Sequence, residues 1–147
     1  MNIAFVEDHE EALRKKELLE DYGHTVWHSF DFEDVLSWMV FEPGAESFGA
    51  FIFDLRVEDG VPDKVSIVNP DEPYDEDTHH SPSLYFIEKF LLEKYPHLQN
   101  RIILCSAYFP RFTEKGCNLD GYHLIDKFSH TIVGDLITII MKLEQEQ

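Results

Sequence analysis

Four short apolar runs in this sequence end on residues that can do chemistry. Residues 2–6 lead into Glu7 and Asp8, residues 49–53 into Asp54, residues 101–105 into Ser106, and residues 122–126 into Lys127. A short apolar run bounded by Gly and by charge reads as a buried strand, most often in a parallel sheet. An Asp inside such a run is costly unless something pairs with it. At the carboxyl end of a parallel strand it faces the crevice where open α/β sheets bind ligands. Asp54 is therefore either a turn residue or the centre of a site. If the four strand ends share one edge, Glu7, Asp8 and Asp54 repel, and the cluster takes up a proton or requires a cation. A hard divalent ion with oxygen ligands, Mg²⁺ (or Mn²⁺), answers that need. Lys127 offers a mobile positive charge for a phosphate oxygen, and Ser106 offers a hydroxyl. A carboxylate ringed by a metal, an ammonium and a hydroxyl is what phosphoryl transfer to Asp requires.

The elements that must position these groups alternate. After the first strand, residues 11–22 read as a helix with Leu13, Leu18 and Leu19 inward and Arg14, Lys15 and Lys16 outward, closed by Gly23. Residues 24–29 form a more polar strand suited to a sheet edge. A helix over 32–41 is capped by Asp31 or Ser29 and stopped by Pro43-Gly44. After the Asp54 strand come a helix over 83–95, a strand over 101–106, a short helix around 111–117, a strand over 122–126 and a final helix over 131–144. Five βα repeats imply an α/β fold with a parallel sheet and helices on both faces. Right-handed crossovers then favour a flavodoxin-like (βα)5 doubly wound sheet of strand order 2-1-3-4-5, in one domain spanning 1–147.

One segment breaks the alternation. Residues 58–82 are acidic and rich in Pro and Asp, with residues 64–68 as their only strand-like piece. A loop this long within a compact domain is functional or disordered. It leaves the end of the Asp54 strand, so partial order and a role in partner choice or in shielding Asp54 are expected. His79 and His80 stand beside Asp75, Glu76 and Asp77; a solvated acidic loop is the expected reading there, rather than a metal site.

Composition narrows the function. With 29 acidic against 12 basic residues the formal net charge is -17, which opposes nucleic acid and anionic lipid and favours cations or a basic protein surface. Cys105 and Cys117 have no metal-site or disulfide spacing, and Cys105 should point into the core. No signal peptide and no membrane span are visible. A flavodoxin would need a Ser, Thr and Gly phosphate cradle where Glu7-Asp8-His9-Glu10-Glu11 stands. A haloacid-dehalogenase-like phosphatase would want a second Asp at the position of Arg56. No small-molecule turnover enzyme is expected.

On these residues the sequence resembles the receiver domain of two-component response regulators. The resemblance covers nearly the whole chain apart from the acidic loop. It rests on Glu7 and Asp8 after strand 1, Asp54 ending strand 3, Ser106-Ala107 ending strand 4 and Lys127 ending strand 5. It implies that Asp54 is the phosphoacceptor and that Asp8 is the principal metal carboxylate, with Glu7 assisting. It also implies that the backbone carbonyl of Arg56 completes the metal's protein ligands. Ser106 would hydrogen-bond the phosphoryl group and move with it, and Lys127 would pair with it. The phosphoryl group would come from a histidine kinase, a phosphotransfer protein or a small phosphodonor, with Arg56 and Tyr108 tuning its lifetime.

The resemblance further implies a cytoplasmic protein that signals by contact with a downstream protein, since no effector domain follows Gln147. A homodimer through the final helices and strands is a further arrangement of such folds. Three positions depart from the family's pattern. Phe128 replaces the Pro after the Lys, which favours a trans peptide bond there. Leu124 stands where the family has its switch aromatic, with Tyr122 two residues earlier. The acidic loop adds roughly twenty residues. These departures motivate an alternative, a pseudo-receiver that binds proteins independently of phosphorylation. Taken singly, Glu7 and Asp8 also suit a helix N-terminus, Ser106 a strand-end hydroxyl and Lys127 a surface lysine.

Overall fold

The computed structural model describes residues 1–7, 11–55 and 71–147, with the backbone alone for Glu11. Asp8, His9, Arg56 and residues 64–68 lie outside the described residues. In chain order the elements are β1 (Asn2–Val6), α1 (Glu11–Asp21), β2 (Thr25–Ser29), α2 (Phe32–Val40), a 3₁₀ turn (Ala45–Ser47) and β3 (Phe48–Asp54). They continue with α3 (Glu76–His79), α4 (Pro82–Phe86), a π-helical turn (Ile87–Leu91), α5 (Leu92–Lys94) and a second 3₁₀ turn (Pro96–Arg101). The chain closes with β4 (Ile102–Ser106), α6 (Pro110–Thr113), β5 (His123–Asp126) and α7 (Ile132–Gln145).

The strands form one five-stranded sheet in the order β2-β1-β3-β4-β5, every pair parallel. This is the expected flavodoxin-like arrangement, with the polar strand β2 at an edge. Alternation along each strand divides the core in two. Ala4, Val6, Phe51, Phe53 and Leu104 meet Phe32, Val35, Leu84, Phe86 and Leu91 on one face. Ile3, Phe5, Ile52, Ile103 and Cys105 meet Ala12, Leu19, Leu136 and Ile140 on the other. All seven residues of β3 are buried, as a central strand covered on both faces requires.

The register between β1 and β3 slips between Asn2 and Ile3, which pair with Phe48 and Ala50. Gly49 falls in the slip, and Phe48 therefore joins the same core as Phe51 and Phe53. A side chain at Gly49 would collide with Met1. The Gln147 side chain donates to the Gly49 carbonyl at 2.8 Å, so both chain ends meet at this end of the sheet.

Three expectations are corrected here. Leu13 is 53% exposed, while Ala12 and Leu19 are buried, so the inward face of α1 is rotated from the leucine pattern. Lys15, expected outward, follows that rotation and turns inward. The helix expected over 83–95 begins at Pro82, with Ser81 as its N-cap accepting from the Leu84 N–H. Asp31, one of the two expected caps of α2, accepts from the Glu33 N–H. The Glu42–Pro43 bond is the cis peptide among the described residues, so Lys127–Phe128 is trans as expected.

Candidate functional site

Parallel pairing carries β1, β3, β4 and β5 to a common carboxyl edge, and there the sequence-selected residues gather. Glu7 immediately follows β1. Its backbone is fixed on both sides: its N–H donates to the Ser29 carbonyl at 3.2 Å, and His28 Nε2 sits 2.8 Å from its carbonyl oxygen. Asp54 is the last residue of β3 and pairs in register with Cys105. Ser106 pairs with Asp126 at the end of β4 and β5, and the Lys127 N–H donates to the Ser106 carbonyl at 3.0 Å.

The carboxylates are deeply placed, Glu7 at 2% and Asp54 at 3% exposure. Unpaired charges there would be prohibitive. Lys127 reaches both: its ammonium donates to Asp54 Oδ2 and lies 3.3 Å from Glu7 Oε1. Burial pulls the Lys127 ammonium towards losing its proton, but the bonds and charges of Asp54 and Glu7 outweigh that, and its pKa is raised. A cap or turn role for Glu7 and Asp54 does not account for this convergence, and Lys127 is not a surface lysine.

Ser106 shares the edge but is not turned to the same partner. It is 5% exposed, and its Oγ accepts from the Tyr108 N–H at 3.1 Å. The hydroxyl thus closes the turn after β4. Tyr108 is 60% exposed and stands at the rim. Cys105 points into the core as expected, and burial pushes its thiol up to about 12. Phe128 is 79% exposed and Leu124 45%, while Tyr122 is half-buried with its hydroxyl pushed up to about 12 by burial and by Glu88.

Three residues at the site escaped the sequence reading. Lys15 Nζ lies 3.4 Å from Glu7 Oε2, with its side chain only 11% exposed. Its spacing from Ala12 and Leu19, at i+3 and i−4, was the available signal. Ser83 donates to the Asp54 carbonyl and Ser81 to the Leu55 carbonyl, each at 2.5 Å, and both serines are fully buried. They tie the start of the 82–94 helical stretch to the end of β3. The N-cap pattern Ser-Pro-Ser was their only sequence trace.

The last part of the acidic loop is not simply solvated. His79 packs between Tyr74 and Tyr85, with ring centroids at 5.8 and 4.7 Å, and its side chain is 9% exposed. Aromatic packing withdraws it from water. Glu72, His79, Glu88, Lys89 and Cys117 line an open cavity of about 400 Å³ beside it.

The donors at the strand edge are hard oxygens, which suit Mg²⁺ or Mn²⁺. Buried Glu7 and Asp54 around one ammonium fit such an ion's need for one or two carboxylates. Among the described residues no group of three His, Cys, Asp or Glu side chains assembles, and the expected ligands Asp8 and Arg56 lie outside them. None of the described helices is long and apolar enough to cross a membrane.

No protein-family model and no curated protein sequence matches the chain. Solved structures do. The receiver domain of a Francisella response regulator matches at TM-score 0.59 and 16% identity, over 99% of this chain and 97% of that one. A response regulator receiver domain protein from Clostridium thermocellum matches at TM-score 0.61 and 15% identity, over 99% and 94%. A response regulator receiver protein from Pseudoalteromonas atlantica matches at TM-score 0.55 and 15% identity, over 97% and 98%. Five parallel strands in this order, with carboxylates and a lysine at their common edge, give the chain the fold of response regulator receiver domains.

Proposed function

We propose that the chain is a two-component receiver that accepts a phosphoryl group on Asp54 and signals through contact with another protein. The observation that carries the reading is the buried trio at the strand edge, with Lys127 bonded to Asp54 and 3.3 Å from Glu7. A carboxylate oxygen of Asp54 attacks the phosphorus of a phosphohistidine or an acyl phosphate. The new O–P bond forms as the P–N or P–O bond to the donor breaks, and the donor leaves with the electron pair. Lys127 then follows the charge from the carboxylate to the phosphoryl oxygens. Ser106 reaches the same group by giving up its turn contact with the Tyr108 N–H. Water later attacks the phosphorus, releasing inorganic phosphate and restoring the carboxylate; Tyr108, exposed and two residues after Ser106, is the side chain that would slow that approach. Mg²⁺, held by Glu7 and Asp54 with Asp8 and the Arg56 carbonyl, would supply further positive charge for the transferring oxygens.

The partners are then a histidine kinase or phosphotransfer protein upstream and a protein target downstream, in the cytoplasm where such kinases deliver their phosphoryl groups. The reading is tested by titrating beryllofluoride, a phosphoryl mimic, in the presence of Mg²⁺. Saturable binding to the wild type, lost in Asp54→Asn and weakened at least about tenfold in Lys127→Met, is expected. Binding that Asp54→Asn retains would place the mimic elsewhere and sink the reading.

A second reading rests on the exposed Leu124 and Phe128, which depart from the usual switch positions. A pseudo-receiver would use that surface whatever the state of Asp54. A partner whose affinity is the same for wild type and Asp54→Asn would favour it.

A further inference from the structure

Glu7 is contacted from two sides. Lys127 approaches Oε1 at 3.3 Å, and Lys15 approaches Oε2 at 3.4 Å. Lys15 comes from the first turns of α1, on the face that also buries Ala12 and Leu19. Its apolar stem runs with that face and its ammonium ends at the acidic edge. The side chain is 11% exposed against 2% for Glu7, so solvent screens this pair little. Among the described residues the edge therefore holds two buried carboxylates, Glu7 and Asp54, and two ammoniums, Lys15 and Lys127.

We propose that Lys15 is a built-in counter-cation of this site, which competes with a divalent ion for Glu7. The inference rests on the reading of the strand edge as a metal-assisted phosphoacceptor site and assigns a regulator to it. A divalent ion coordinating Glu7 needs the carboxylate oxygen that Lys15 holds, and it meets the repulsion of the nearby ammonium. Lys15 therefore keeps the metal-free edge neutralised and raises the Mg²⁺ concentration at which the site loads. It touches no transferring atom and is a positioning residue. Its removal should have opposite effects on the two states, weakening the metal-free protein and tightening its hold on Mg²⁺. A lysine that merely fills space would not split them in this way.

The test is calorimetric titration of Mg²⁺ into wild type, Lys15→Met and Lys15→Arg, with thermal melts in Mg²⁺ and in chelator. Lys15→Met keeps the stem and the helix propensity while removing the charge; Lys15→Arg keeps the charge. Mg²⁺ should bind Lys15→Met at least about fivefold more tightly than wild type, with Lys15→Arg close to wild type. In chelator Lys15→Met should melt lower than wild type, and Mg²⁺ should recover most of the difference. Should Lys15→Met fail to fold, Lys15→Gln serves the same comparison. Equal or weaker Mg²⁺ affinity in the uncharged variants, or no Mg²⁺ binding by any of the proteins, would overturn the inference. A Mg²⁺ difference of the expected sign in proteins that take no phosphoryl group would instead overturn the phosphoacceptor reading and leave this one standing.

Discussion

Lys127 is the residue on which the strand edge depends most. It neutralises two carboxylates that are almost wholly buried, and its removal leaves Glu7 with Lys15 as its ammonium partner among the described residues and Asp54 without the Lys127 ammonium. Breaking a buried pair from one side typically costs about 3–5 kcal/mol. Lys127→Met is therefore expected to lose about 3 kcal/mol in urea unfolding without added Mg²⁺. Adding Asp54→Asn to that variant should recover much of the loss, because the uncompensated charge is gone. A single variant as stable as wild type would mean that other groups carry the compensation. The residue types at this edge were readable from sequence because each stands at the end of an apolar run. Lys15 was not. The leucines of α1 suggested one inward face, but the first turns of that helix lie over a polar edge, where burying Ala12 and a lysine stem suits the surroundings better than burying Leu13.

At the scale of elements, the end of β3 is held from two directions. The Leu55 N–H donates to the Cys105 carbonyl at 3.0 Å, while Ser83 and Ser81 donate to the carbonyls of Asp54 and Leu55. The two serines tie the chain at residues 81–83 to the end of β3, across sequence separations of 29 and 26 residues. Ser83→Ala leaves a buried carbonyl short of its donor and should cost about 1–3 kcal/mol. Ser81→Ala should cost a similar amount, since it also removes an N-cap. Urea midpoints of the two variants check this, and a Ser83→Ala midpoint equal to wild type would rule out the serine as a support of β3. The order of helices and strands was legible because alternating apolar runs and caps survive in the sequence. The serine contacts were not, because a hydroxyl carries no periodicity and its partner is a distant backbone carbonyl. For the same reason His79 read as solvated: its burial depends on Tyr74 and Tyr85 folding onto it, which no local pattern announces.

Over the whole molecule, the two faces of the sheet carry different chemistry in their cores. One is dominated by aromatic rings, Phe32, Phe48, Phe51, Phe53 and Phe86. The other is mostly aliphatic and contains Phe5 and Cys105. Burial raises that thiol from 9.0 to about 12. A group that holds its proton more tightly when folded contributes fully below its unfolded pKa, and the contribution fades as pH rises through its folded pKa. Between pH 9.0 and about 12 the wild type should therefore lose stability that Cys105→Ala does not lose, and the pH slopes of the two proteins should separate in that window. Parallel slopes would show that the thiol is not shielded by the fold. The slip at Gly49 is a feature of this scale that the sequence did not announce, since it serves the meeting of Met1 and Gln147 at the far end of the sheet. The net charge of -17 bears on partners rather than on the core, and it favours a basic surface on any protein that binds this chain.

The proposed function stands on phosphoryl transfer to Asp54. Intact-protein mass after incubation with Mg²⁺ and a small acyl phosphodonor tests it most directly, with Asp54→Asn treated in parallel. One phosphoryl adduct is expected on the wild type, lost again on standing as an acyl phosphate hydrolyses, and none on the variant. No adduct on the wild type under conditions where Mg²⁺ binding is demonstrated, or an equal adduct on Asp54→Asn, would contradict it.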